Sequence, residues 1–211
     1  TGLKLFPADD IRLTKTIYST DFKHLKKTPL QGDVVDEEVL ARKFFKNVML
    51  DSFNSWVSDR SLQKTSLVID AANGAFIPLL EKLIQEFGGA NVILCNTSLE
   101  NGINHNCGVA DLEGRHIVEA NELSQEPLCH AEALKRLLEE GRRKQEQNSE
   151  GLTVGLVLDG DGDRCFMPVY DPQKDRIIII DGDGLAIFQL LWLKQNQKRR
   201  EGQLYLNTVE S

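Results

Sequence analysis

The residues Asp159-Gly160-Asp161-Gly162-Asp163-Arg164 hold the densest concentration of chemistry in this 211-residue chain. Three carboxylates alternate with glycine directly after the apolar run TVGLVL. A tight turn there can aim all three at one point, because glycine tolerates the backbone angles required. Two unit charges about 5 Å apart repel by roughly 3 kcal/mol at an effective dielectric of about 20, so such a cluster calls for a cation. Oxygen-only ligands select a hard ion: Mg²⁺, Mn²⁺ or Ca²⁺. Arg164 sets a fork of donors beside that ion, which suits a phosphate shared by metal and guanidinium. Phosphoryl chemistry is the expectation.

Competing explanations for the same residues are weaker. A hydrated acidic turn leaves the density of the pattern without a cause. A calcium EF-hand loop needs glycine at its sixth position and glutamate at its twelfth, between helices; here those positions are Arg164 and Tyr170, in a strand context. Phosphatases of the haloacid dehalogenase type carry a DxDG loop followed by Thr or Val, where this chain has Asp163. Other reactive residues read as structural. His105 in NHNC is a hydrogen-bonded loop histidine, Asn73-Gly74 a turn, and Asp181 or Asp183 a helix cap. Cys95, Cys107, Cys129 and Cys165 form no CxxC pair, so neither a zinc knuckle nor a disulfide framework is expected.

The elements that must position the loop follow from periodicity. SLVID (66–70) and NVILC (91–95) read as strands joined by a turn, AANGA, and a helical pattern, FIPLLEKLIQEF, closed by Gly88-Gly89. That is a βαβ unit with parallel pairing. Residues 1–33 read as loop and short elements, an amphipathic helix begins near Val34, and 96–130 read as loop-rich around NGINHNCG. A polar helix is expected over 131–147. After it come TVGLVL, the Asp loop, the hairpin CFMPVYD/RIIII, a helix from DGDG and a strand, QLYLNTV. The fold class is α/β, a mixed sheet flanked by helices.

A chain with 41% apolar and 27% charged residues is that of an ordinary globular protein with a proper core. Its net charge of −7 argues against nucleic acid or an anionic membrane as partner, and no apolar run is long enough for a bilayer. The cysteine usage and the absence of a signal-peptide layout fit a cytoplasmic location.

DGDGDR after an apolar strand resembles the metal loop of the α-D-phosphohexomutases, the phosphoglucomutase, phosphomannomutase and phosphoglucosamine mutase family. VIDAANGAF resembles the first strand and turn of that family's second domain, GINHNCG the segment after it, and TGLK the stretch just past its serine loop. The resemblance implies that residues 1–35 are the remnant of domain 1, 36–180 domain 2 with the metal loop, and 181–211 the opening of domain 3. It implies a sugar phosphomutase that moves a phosphoryl group between the 1- and 6-positions through a phosphoserine placed before Thr1. Asp159, Asp161 and Asp163 would hold Mg²⁺, Arg164 would bind phosphate, and Lys4 would be the catalytic acid/base. A sugar 1,6-bisphosphate would be the activator, a phosphorylated sugar and the remaining domains of the parent chain the partners. The fragment alone would be inactive. The CG of NHNCG inclines towards the hexosamine branch. A metal-binding module without catalysis, or the phosphatase already mentioned, are the alternatives.

Overall fold

The computed structural model describes residues 5–24, 37, 39–41, 43–44, 47, 64–80 and 91–195. The chain divides into two compact units, Thr1–Glu37 and Glu38–Ser211. In the first, helix α1 (Pro7–Ser19) occupies a stretch expected to hold loop and short elements. Its cause is local. Pro7 at the first turn has its φ preset for a helix, and Asp9 and Asp10 face the positive end of the dipole. None of its residues is buried within the described structure.

The second unit is built on a six-stranded sheet in the order β2-β1-β4-β5-β6-β3. The strands are β1 (Ser66–Asp70), β2 (Asn91–Cys95), β3 (Ile117–Glu119), β4 (Thr153–Leu158), β5 (Cys165–Asp171) and β6 (Arg176–Ile180). β1 is parallel to β2 and β4, whereas β4, β5, β6 and β3 pair antiparallel in turn. The expected mixed sheet is therefore present. β3 lies within 96–130, the stretch expected to be loop-rich; its three residues are too few to show an alternation.

Both faces of the parallel part are covered, which is why β1 reads as a continuous apolar run. Val68 joins Val157, Tyr170 and Ile177 under helix α2 (Glu132–Glu146), which buries Leu134, Leu137 and Leu138. Ile69 points to the other side, against Ile77 and Leu80 of the helical residues 77–80. Helix α3 (Gly182–Gln195) leaves β6 with Asp181 as its cap, whose Oδ1 accepts from Gly184 N at 2.9 Å. Among the described residues no helix is long and apolar enough to cross a membrane. Most of the helix expected from Val34, the Gly88-Gly89 stop and the QLYLNTV strand lie outside the described residues.

Candidate metal and phosphate site

β4 ends at Leu158 and β5 starts at Cys165, so the Asp loop is the connection of an antiparallel pair closed by Leu158 opposite Cys165. Asp159 is buried at 4% exposure and organises the turn. Its Oδ1 accepts from the backbone N–H of Gly162 at 3.0 Å and of Arg164 at 3.1 Å, and its Oδ2 accepts from Arg164 Nε at 2.9 Å. Burial pushes the Asp159 carboxyl up, but the Arg164 N–H and guanidinium outweigh it and hold the pKa below the ordinary value. Asp161 and Asp163 stand exposed beside it.

One carboxylate oxygen from each of the three aspartates lies within 4.8 Å of the others. Ligands about 2.1–2.5 Å from a shared hard cation stand roughly 3–5 Å apart, so this donor set fits a hard divalent cation. Arg164 is held from both ends. Beyond Asp159, its Nη1 reaches Glu113 Oε1 at 2.5 Å, a contact 51 positions away in sequence that no local pattern announces.

Two further loops build the wall. The turn after β1 comes so close that a Cβ placed on Gly74 would stand 2.3 Å from the Gly160 carbonyl oxygen, and Ala75 N donates to that same oxygen at 2.8 Å. The sequence shows Asn73-Gly74 only as a turn. From the third loop, a Cβ on Gly160 would meet Ile103 Cγ2 at 2.2 Å, and Asn104 N donates to Ala72 O at 2.9 Å. Asp70, another residue missed, ties these two loops from beneath: it accepts from Ala72 N at 2.8 Å and from Gly108 N at 3.3 Å. Burial raises its pKa despite those donors. The position at the end of a buried strand was its available signal.

The result is an open cleft of about 610 Å³ lined by Asp159, Asp161, Asp163, Arg164, Ile103 and Asn104. The four loop residues singled out from sequence are thus brought together, whereas Lys4 lies outside the described residues. His105 is exposed, and its backbone N–H closes a turn on Gly102. Cys107 is buried, its thiol pushed up to about 11 by desolvation first and the Asp70 charge second.

The chain is similar to phosphoglucosamine mutases. The enzyme of Photorhabdus laumondii subsp. laumondii is 28% identical over 213 residues, covering 96% of this chain and 38% of that protein. That of Yersinia pestis is 30% identical over 148 residues, covering 70% of this chain and 24% of that one. The chain therefore spans well under half the length of the curated relatives it matches. A solved N-acetylglucosamine-phosphate mutase of the α-D-phosphohexomutase superfamily, in its apo form, aligns over 78% of this chain and 25% of its own at 17% identity, TM-score 0.43. No protein-family model matches.

Proposed function

We propose that this chain is the metal-loop portion of a sugar phosphomutase acting on a hexosamine phosphate, moving a phosphoryl group between the 1- and 6-positions. The observation that carries the reading is the convergence of three aspartates and one guanidinium at the mouth of one cleft. In the proposed assignment residues 1–35 close domain 1, 36–180 form domain 2 and 181–211 open domain 3. The phosphoserine and the remaining substrate contacts belong to other parts of the parent protein, which is cytoplasmic in this reading.

Asp161 and Asp163 offer solvent-facing oxygens to Mg²⁺, and Asp159 offers one whose turn is already fixed by three hydrogen bonds. The bound ion would supply charge neutralisation to a transferring phosphoryl group. Arg164 orients a phosphate oxygen through its outer guanidinium nitrogens while its Nε stays on Asp159, with Nη1 giving up its contact with Glu113. Lys4 is proposed as the acid/base for the sugar hydroxyl. The phosphatase alternative wants Thr or Val directly after its DxDG loop, where this chain has Asp163.

The test uses the gene product that carries this chain. Glucosamine 6-phosphate and 1-phosphate should interconvert with Mg²⁺ and catalytic bisphosphate, followed by ³¹P NMR, and Asp161→Asn should remove most of the turnover. A wild-type protein that interconverts no hexose or hexosamine phosphate overturns the proposal.

A further inference from the structure

Among the described residues, metal-ligating side chains gather in a second place, far from the Asp loop in sequence and different in chemistry. Glu126, Cys129 and His130 bring a carboxylate oxygen, a sulfur and an imidazole nitrogen within 4.8 Å of one another. Glu126 Oε1 is the common point: Cys129 Sγ donates to it at 2.9 Å, and His130 Nε2 lies 3.1 Å away. The search for CxxC pairs passes over it, because its spacing is Glu-x-x-Cys-His.

We propose that Glu126, Cys129 and His130 form a surface site for a divalent transition-metal ion of the Zn²⁺ class. This inference stands independently of the mutase reading. Sulfur and imidazole discriminate against Mg²⁺ and select a borderline ion, and three protein ligands leave a fourth position for water or another ligand. Around a tetrahedral ion with ligand distances of about 2.0–2.3 Å, donor atoms stand roughly 3.3–3.7 Å apart. The two hydrogen-bonded separations therefore have to open by less than about 1 Å, within reach of exposed side chains.

The backbone that carries these groups is already held. Leu128 sits between the glutamate and the cysteine at 1% exposure, pinning the turn to the core. Cys129 N donates to Gln125 O at 2.7 Å, Ala131 N to Leu128 O at 3.0 Å, and Lys135 Nζ from α2 to Cys129 O at 2.6 Å. Cys129 and His130 thus leave a fixed turn with their side chains available, the preorganisation that a small site needs. On binding, the Cys129 thiol proton passes to solvent and the thiolate takes its place on the ion.

Co²⁺ is the probe, added to the 211-residue chain under reducing conditions with Mg²⁺ in excess to occupy the Asp loop. One equivalent should produce thiolate-to-cobalt charge-transfer absorption and the intense visible bands of four-coordinate cobalt, both removed by Zn²⁺. Cys129→Ser should abolish the charge-transfer band and weaken Co²⁺ binding by about 100-fold, and His130→Gln should weaken it by about 10-fold. Cys165→Ser should leave band and affinity unchanged, with far-ultraviolet circular dichroism confirming that every variant is folded. A wild-type chain without the band, or a band that survives Cys129→Ser, overturns the site.

Discussion

Gly74 and Gly160 approach until the side-chain position of one is filled by the backbone of the other: a Cβ on Gly74 would lie 2.3 Å from Gly160 O and 2.8 Å from Gly160 C. Backbone cannot swing aside as a flexible side chain does. Gly74→Ala should therefore displace the Asp loop and cost about 1–3 kcal/mol, a loss of several degrees in Tm. Divalent-ion affinity should fall with it, since Ala75 N holds the same Gly160 carbonyl. An alanine variant with wild-type Tm in a thermal scan would mean that the two turns stand further apart than described.

The DGDGDR loop was legible in sequence because its residues are contiguous and their repulsion demands a cation. The strands were legible because β1, β4 and β6 are runs of branched apolar residues bounded by turns. Glu113 on Arg164, Asp70 under two loops and Gly74 against Gly160 were not, because each is a pairing between segments whose spacing carries no period. α1 escaped for another reason: its signals are the preset φ of Pro7 and the two first-turn aspartates, with no buried stripe to accompany them.

Asp161→Asn should separate the loop's electrostatic cost from its metal-binding role. Asp161 is exposed and removing one of three neighbouring negative charges relieves repulsion, so the metal-free Tm should hold or rise slightly. The wild-type chain should gain stability with Mg²⁺: for a Kd on the order of 1 mM, about 10 mM ion gives about 1.4 kcal/mol. The variant should lose that gain. Differential scanning fluorimetry with and without Mg²⁺ decides it, and an equal Mg²⁺ response in both proteins would take Asp161 out of the site.

Glu113 competes with any incoming phosphate for the outer nitrogens of Arg164. The pair spans 2.5 Å, but both side chains are about half exposed at 44% and 55%, so water screens it. Exposed pairs contribute about 0.2–1 kcal/mol, and Glu113→Gln should accordingly raise affinity for a phosphate monoester by about 1.5- to 5-fold. Arg164→Lys should act oppositely, because an ammonium cannot hold Asp159 and a phosphate oxygen with one planar fork. Isothermal titration with a sugar phosphate in the presence of Mg²⁺ measures both; weaker binding by Glu113→Gln would show that Glu113 supports the arginine instead of competing for it.

At the opposite end of the parallel strands, Glu140 of α2 makes stability depend on acid. Its side chain is 7% exposed and accepts from Ser66 Oγ of β1 at 2.7 Å, Asn91 Nδ2 of β2 at 3.0 Å, and Arg143 Nε and Nη2 of its own helix at 2.7 Å each. The other nearby cations are engaged elsewhere: Lys64 pairs with Glu150 at 2.5 Å, and Lys144 Nζ donates to the carbonyls of Lys64 and Leu152. The Arg143 bonds above all lower the Glu140 pKa from 4.5 to about 2, against burial, with Ser66 and Asn91 assisting. A carboxyl whose folded pKa is depressed stabilises the fold above its unfolded value, and that contribution drains away as pH falls from about 4.5 towards 2. The full shift corresponds to about 3 kcal/mol, which the half-exposed Arg143 and its solvent reduce to about 1–2. Glu140→Gln keeps the shape but removes the charge. It should be less stable than wild type by about that amount at neutral pH, and the gap should narrow steadily below pH about 4.5. Comparing the two by urea denaturation at several pH values cancels the titration of every other carboxylate. A gap that stays constant down to pH about 2.5 would mean that Glu140 acts through shape alone and that its charge contributes nothing to the clamp between α2 and the sheet.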